Sequence, residues 1–171
     1  MNIEQETFYL GTTRFTNKTF KENQEWRKKH NWEGCIYGLN KKISHSPYHR
    51  IPKESLVCVI EMNNDTNKIE GIGIIRNYIN YKYKADIYKT CRDCNRYIYN
   101  SKYRIDIKDI KYKKMILFLE NILFYGKTHY KRGRGITILG WNKFNESTAK
   151  ILRLFFVKLF KLEQVPVEDP C

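Results

Sequence analysis

Apolar and polar positions alternate in several short runs of this chain and recur at helical spacing in three longer ones, predicting a mixed α+β protein. Glu6-Thr-Phe-Tyr-Leu-Gly-Thr-Thr13 reads as an opening strand. Thr19-Phe-Lys-Glu22 has the form of a capping box, with a helix from about Phe20 to His30. On that helix Phe20, Gln24 and Arg27 would share one side and Trp26 another. Gly34-Cys-Ile-Tyr-Gly38 is a short strand between glycines, and the polar loop after it carries His45, Pro47 and His49. The strongest pattern is a hairpin. Ser55–Met62 and Lys68–Arg76 are rich in β-branched residues, and Asn63-Asn-Asp-Thr-Asn67 between them is a turn-forming cluster.

Gly71 and Gly73, two residues apart, face one side of the second hairpin strand. That side lacks side-chain cover, which suits a bulge or the close approach of another group. Arg96–Asp106 reads as a strand or hairpin, and Ile110–Phe124 as a helix with Ile110, Lys114, Leu117, Asn121 and Phe124 on one face. Ile136–Trp141 is a short strand. The last helix, Glu146–Leu162, is capped by Asn145 and divides into a basic arc and an apolar side. Lys150, Arg153, Lys158 and Lys161 form the arc; Leu152, Phe155, Phe156, Leu159 and Leu162 form the apolar side. These elements fit a single domain over residues 1–164, a curved or barrel-like, mostly antiparallel sheet with about three peripheral helices. Residues 165–171 would form a flexible tail.

Charge changes the picture from fold to partner. The chain of 171 residues carries 32 Lys and Arg against 18 Asp and Glu, a net charge of +14. Such a balance favours nucleic acid or an anionic surface. Lysine outnumbers arginine 22 to 10 and only Ala85 and Ala149 are alanines, a bias that an AT-rich coding genome also produces. The charge is concentrated between Glu120 and Glu146. Lys127, Lys131, Arg132, Arg134 and Lys143 lie there without a carboxylate, interleaved with His129, Tyr130, Trp141 and Phe144. Cations neutralise phosphates, glycines admit backbone N–H groups, and aromatic faces stack on bases. The plain alternative is a solvated basic loop.

Other features bound the chemistry. The N-terminus lacks the apolar core of a signal peptide, and no apolar run is long enough to span a bilayer, so no membrane partner is expected. Five cysteines without a secretory signal predict reduced thiols in the cytoplasm or nucleus. Cys91-Arg-Asp-Cys94 supplies two of the four ligands of a zinc site, and His45 and His49 have the spacing to supply the others. The histidines precede the cysteines, the reverse of a zinc finger, and two ordinary thiols is the simpler reading. Arg132-Gly-Arg-Gly135-Ile-Thr137 partly matches an acetyl-coenzyme A pyrophosphate loop, with Thr137 where a small residue is wanted and the flanking elements in reverse order. Among the tryptophans, Trp32 lies at a helix-to-strand junction, where a ring can stay partly exposed and stack on a base.

The order of elements from Thr7 to Ile105 resembles the PUA-like superfamily, especially its EVE and YTH branches. The resemblance rests on Phe8-Tyr9-Leu10, the helix, Gly34-Cys-Ile-Tyr37, Ile51-Pro-Lys-Glu-Ser-Leu-Val-Cys-Val-Ile60 and Glu70-Gly-Ile-Gly-Ile-Ile75. It implies a small β-barrel that binds RNA or DNA and, in those branches, holds one modified base among aromatic rings. Trp32 and Tyr37 are the residues it carries over. The Lys-, Asn-, Ile- and Tyr-rich texture also resembles proteins of large DNA viruses. The leading expectation is a non-enzymatic nucleic-acid-binding protein. Lys127, His129, Lys131, Arg132, Arg134, Arg153 and Lys158 would meet the nucleic acid together with Trp32 and Tyr37. The alternatives are a structural protein with an acidic neighbour in a large assembly such as a virion, and an acetyltransferase-like enzyme.

Overall fold

Thr16 starts the first helix because its hydroxyl and that of Thr19 close a reciprocal box: Thr19 N–H donates to Thr16 Oγ1 at 3.2 Å and Thr16 N–H to Thr19 Oγ1 at 2.9 Å. The cap therefore lies three residues before the one expected from Thr19 and Glu22. The computed structural model describes residues 8–43, 51–79, 81 and 84–160. It is an α+β structure containing, among these residues, three α-helices, a mixed five-stranded sheet and a two-stranded sheet. The chain divides into two compact units, the first ending at Leu139 and the second starting at Gly140.

In the first unit the elements are β1 (Tyr9–Phe15), α1 (Asn17–Lys29), β2 (Cys35–Leu39), β3 (Leu56–Asn63) and β4 (Lys68–Arg76). They continue with β5 (Tyr97–Ser101), β6 (Arg104–Asp106), α2 (Lys113–Phe124) and β7 (Thr137–Leu139). The large sheet runs β6-β4-β3-β1-β7, with β1 parallel to β3 and the other neighbours antiparallel. The small sheet pairs β2 with β5. The expected hairpin is β3–β4, its turn ending at Asn67 with φ of 55°. The strands expected between Arg96 and Asp106 do not form a hairpin. β5 pairs with β2 and β6 with β4, so the chain changes sheets between them.

Two side-chain faces differ from their expected registers. On α1 the buried residues are Phe20, Asn23 and Trp26, while Gln24 is exposed. Asn23 sits inside because its amide donates to Ile36 O at 2.7 Å and to Tyr88 Oη at 3.2 Å. On α2 the buried residues are Ile116, Leu119, Glu120, Leu123 and Phe124; Lys114, Leu117 and Asn121 face solvent. Glu120 tolerates burial because it accepts Ile69 N–H at 3.1 Å and Lys68 Nζ at 3.0 Å.

β3 is buried along its whole length. One of its faces presents Val57, Val59 and Glu61 to a core shared with Phe20, Trp26, Ile36, Tyr37 and Tyr99. Glu61 is 2% exposed and would be costly there alone. Arg104 from β6 grips it with Nε 3.0 Å from Oε1 and Nη2 2.8 Å from Oε2, and Tyr37 from β2 donates to Oε1 at 2.9 Å. Arg104 Nη1 also reaches Asp106 at 3.3 Å. The glycines make this arrangement fit. A β-carbon at 71 would lie 2.6 Å from Arg104 Nη2 and 2.8 Å from Glu61 Oε2. One at 73 would lie 2.4 Å from Tyr37 Oη. A bulge accompanies the close approach: Glu61 faces Gly71 while Met62 faces Ile69, so Glu70 is the extra residue.

The second unit holds a 3-10 turn at Trp141–Lys143 and α3 (Glu146–Phe160). Asn145 caps it as expected, its Oδ1 accepting Thr148 N–H at 2.8 Å. Leu152, Phe155 and Phe156 are buried, whereas Lys150, Arg153 and Lys158 are exposed. Lys161, Leu162 and the expected tail lie outside the described residues.

Removing one partner of the Glu61–Arg104 pair strands the other inside the core. Arg104→Ala is expected to lower unfolding free energy by about 3–5 kcal/mol in urea titration. Replacing both residues, Glu61→Gln with Arg104→Met, should cost less than the sum of the single changes.

Candidate functional site

The acid-free stretch forms the connection between α2 and β7, and three glycines give it a shape that side chains would resist. Gly126, Gly133 and Gly135 have φ of 82°, 102° and 74°. Lys127, Arg132 and Arg134 are exposed, while His129 and Lys131 are partly buried. The loop is held at several points. Tyr130 N–H donates to Leu123 O at 2.7 Å, which folds the chain back on the end of α2. Asn64 Nδ2 donates to Lys131 O at 2.9 Å, and Lys131 Nζ donates to Asn67 Oδ1 at 2.7 Å, so the β3–β4 turn grips one side. His129 Nδ1 accepts Lys131 N–H at 3.3 Å, which places the imidazole proton on Nε2 when the ring is neutral.

Arg14, near the end of β1, grips the other side. Its Nε donates to Tyr130 O at 2.6 Å, and its Nη1 donates to Thr137 Oγ1 at 2.8 Å and Gly135 O at 3.4 Å. Burial pushes its pKa down to about 10, so it remains a cation at neutral pH. Sequence reasoning missed this residue. The available signal was a lone arginine inside a strand whose other residues are apolar or threonine. Among the described residues no carboxylate pairs with Arg14, Lys127, Lys131, Arg132 or Arg134. Their positive charge is left to solvent and to any anion that arrives.

The other expected site residues lie on other elements. Tyr37 cannot stack on a base: it is 1% exposed, and its hydroxyl is engaged by Glu61. Burial, with the Glu61 charge beside it, pushes its pKa well up, so the phenol stays protonated. Trp32 is partly buried against the core, and its indole N–H donates to Cys35 O at 3.1 Å. Arg153 lies in the second unit with its guanidinium 4.7 Å from the Trp141 ring centroid, and Lys158 lies further along the same helix. Cys91 and Cys94 correct two expectations, because their sulfurs are joined in a disulfide. In that state they are neither reduced nor available as thiolate ligands for zinc. His45 and His49 lie outside the described residues, and among the described residues no three His, Cys, Asp or Glu side chains form a metal-binding group.

Among the described residues no helix is long and apolar enough to cross a membrane. Comparison with protein-family models, with curated proteins and with solved structures found no match to this chain.

Two outcomes follow from these placements. Arg14→Gln should cost about 1.5–3 kcal/mol, the range for hydrogen bonds to a charged group, and should speed tryptic cleavage after Lys131, Arg132 and Arg134. A loop cleaved at the wild-type rate would show that Arg14 does not hold it. Burial pushes the Cys35 thiol up to about 11 and the Cys58 thiol higher still, so neither should react with iodoacetamide at pH 8 until the protein unfolds. Peptide mapping by mass spectrometry reads this directly.

Proposed function

We propose that this protein binds nucleic acid, RNA or DNA, chiefly through phosphates met by the Tyr125–Ile136 loop. The observation that carries the reading is a held loop whose cations have no carboxylate partners among the described residues. A merely solvated basic loop needs no attachments. This one is tied by Arg14, Asn64 and Asn67 to neutral groups, which orders the backbone while leaving the charge unspent. Ordering before binding reduces the entropy lost on association. Lys127, Arg132 and Arg134 are the exposed contacts and Lys131 the anchored one.

Kinship with the EVE and YTH branches of the PUA-like superfamily accompanies this reading. A barrel-like curvature is supported by the way the small sheet lies against β4: Cys35 Sγ donates to Ile74 O at 3.6 Å, and Ser101 Oγ also donates to that oxygen. With Tyr37 enclosed, only Trp32 remains of the two aromatics that the family resemblance carries over, so the reading rests on phosphates and not on a caged modified base. A second reading concerns α3 alone. Ile151 and Leu154 are about half exposed beside Lys150, Arg153 and Lys158, a mixed apolar and basic face suited to an acidic protein neighbour in a large assembly.

Binding of single-stranded RNA and DNA over a range of salt tests the first reading. Changing Lys131, Arg132 and Arg134 together to Ala should weaken binding to all sequences alike. It should also flatten the slope of log affinity against log salt by about 2–3. An unchanged slope would exclude the loop. If α3 alone carries the partner surface, Arg153→Glu with Lys158→Glu should leave nucleic-acid affinity unaltered and abolish capture of an acidic peptide.

A further inference from the structure

Arg14 is more than a fastening for the loop. Its Nε and Nη1 are occupied by two carbonyls and a hydroxyl, while its Nη2 donates to no described residue. The backbone at Gly133 lies in van der Waals range of it. A β-carbon at position 133 would lie 3.7 Å from Arg14 Cζ and 3.9 Å from both Nη atoms. In-plane approach between the two Nη atoms would bring it nearer to nitrogen than to Cζ, so this position lies over the guanidinium plane. Glycine is favoured at 133 by its φ of 102°, and the space over the cation would admit a β-carbon in ordinary contact.

That main chain carries free donors. Among the described residues, the N–H groups of Arg132, Gly133, Arg134 and Gly135 donate to none. Positive φ occurs at Gly133 and Gly135 and not at Arg132 or Arg134. Alternation in the sign of φ is one requirement of a backbone nest, in which successive N–H groups hold an anion. Beneath this backbone lies the guanidinium face, with the unused donors of Nη2 at its rim, and Lys131, Arg132 and Arg134 supply positive potential around it.

We propose that Arg14 Nη2 and the backbone N–H groups of residues 132–135 form a seat for a single phosphate group. Donors from an arginine edge and from successive amides arrive from different directions, which suits a tetrahedral anion with several acceptor oxygens. The inference rests on the nucleic-acid reading only for the source of that phosphate, a phosphodiester of the strand; free phosphate has the same chemistry. The seat gives the loop one registered contact, around which Lys127, Arg132 and Arg134 add unspecific attraction.

The test is a titration of the isotopically labelled full chain, observed by amide and guanidinium NMR. Inorganic phosphate, an oligothymidylate and sodium chloride at matched ionic strength are the separate arms. Phosphate should shift the Gly133 and Gly135 amides and the Arg14 guanidinium along a saturating curve that chloride does not reproduce. Arg14→Lys, which keeps the charge and loses the fork, should weaken phosphate binding about tenfold or more, the loss of one charge-assisted hydrogen bond. Its folding is checked by the unchanged amide pattern of β3 and β4. Amides at 133 and 135 that stay still with phosphate, or that move equally with chloride, overturn the seat. The arms also separate the two claims. Oligothymidylate binding with those amides unmoved removes the seat and keeps the nucleic-acid reading. Phosphate binding without oligothymidylate binding keeps the seat and removes that reading.

Discussion

The ion pair between Glu61 and Arg104 is the constraint on which the first unit depends. A carboxylate in the middle of a fully buried strand cannot be left alone, and its partner must approach with two donors at once. Arg104 does so from β6, across β4, and Tyr37 completes the shell from the small sheet. One side chain on β3 thus specifies the edge strand beyond β4 and the position of β2 above it. The glycines at 71 and 73 follow from this requirement, since larger residues would occupy the space taken by the guanidinium and the phenol. Hydrophobic burial stabilises the sheet, and the ion pair restricts which registers of that sheet are acceptable.

Two local patterns are legible in the sequence, while the cap of α1 lies three residues before its apparent box. The β3–β4 hairpin is visible in its β-branched runs and asparagine turn, and Asn145 is a visible cap. That Gly71 and Gly73 share an uncovered side was also legible, though nothing near them says that an arginine and a tyrosine fill it. The separation of β5 from β6 was illegible because their partners, β2 and β4, lie far away in sequence. The α2 face is hidden in the sequence because Glu120 looks like a solvent residue until Lys68 and the Ile69 amide are brought to it. Tyr37 fails as a base contact for a similar reason: its neighbour Glu61 is 24 positions away.

The candidate site divides the same way. Its cations are contiguous and conspicuous, because absence of carboxylates over a long stretch is a one-dimensional signal. The groups that shape it are dispersed among β1, the β3–β4 turn and the end of α2. A basic segment read without them looks like any charged loop. With them it has a particular backbone path, and Gly133 and Gly135 become positions where conformation matters more than composition.

The attachment of Arg14 to the loop joins residues 116 to 123 positions apart, and β7 closes on β1 over a similar span. Contacts of such separation close late, since the chain between them must be organised first. During synthesis β1 would emerge early and pair with β3, yet its other edge would stay open until residues 137–139 leave the ribosome. An open strand edge invites pairing with another chain. The cationic residue at position 14 then stands on that unfinished edge, where a charge discourages strand addition until the loop arrives to cover it.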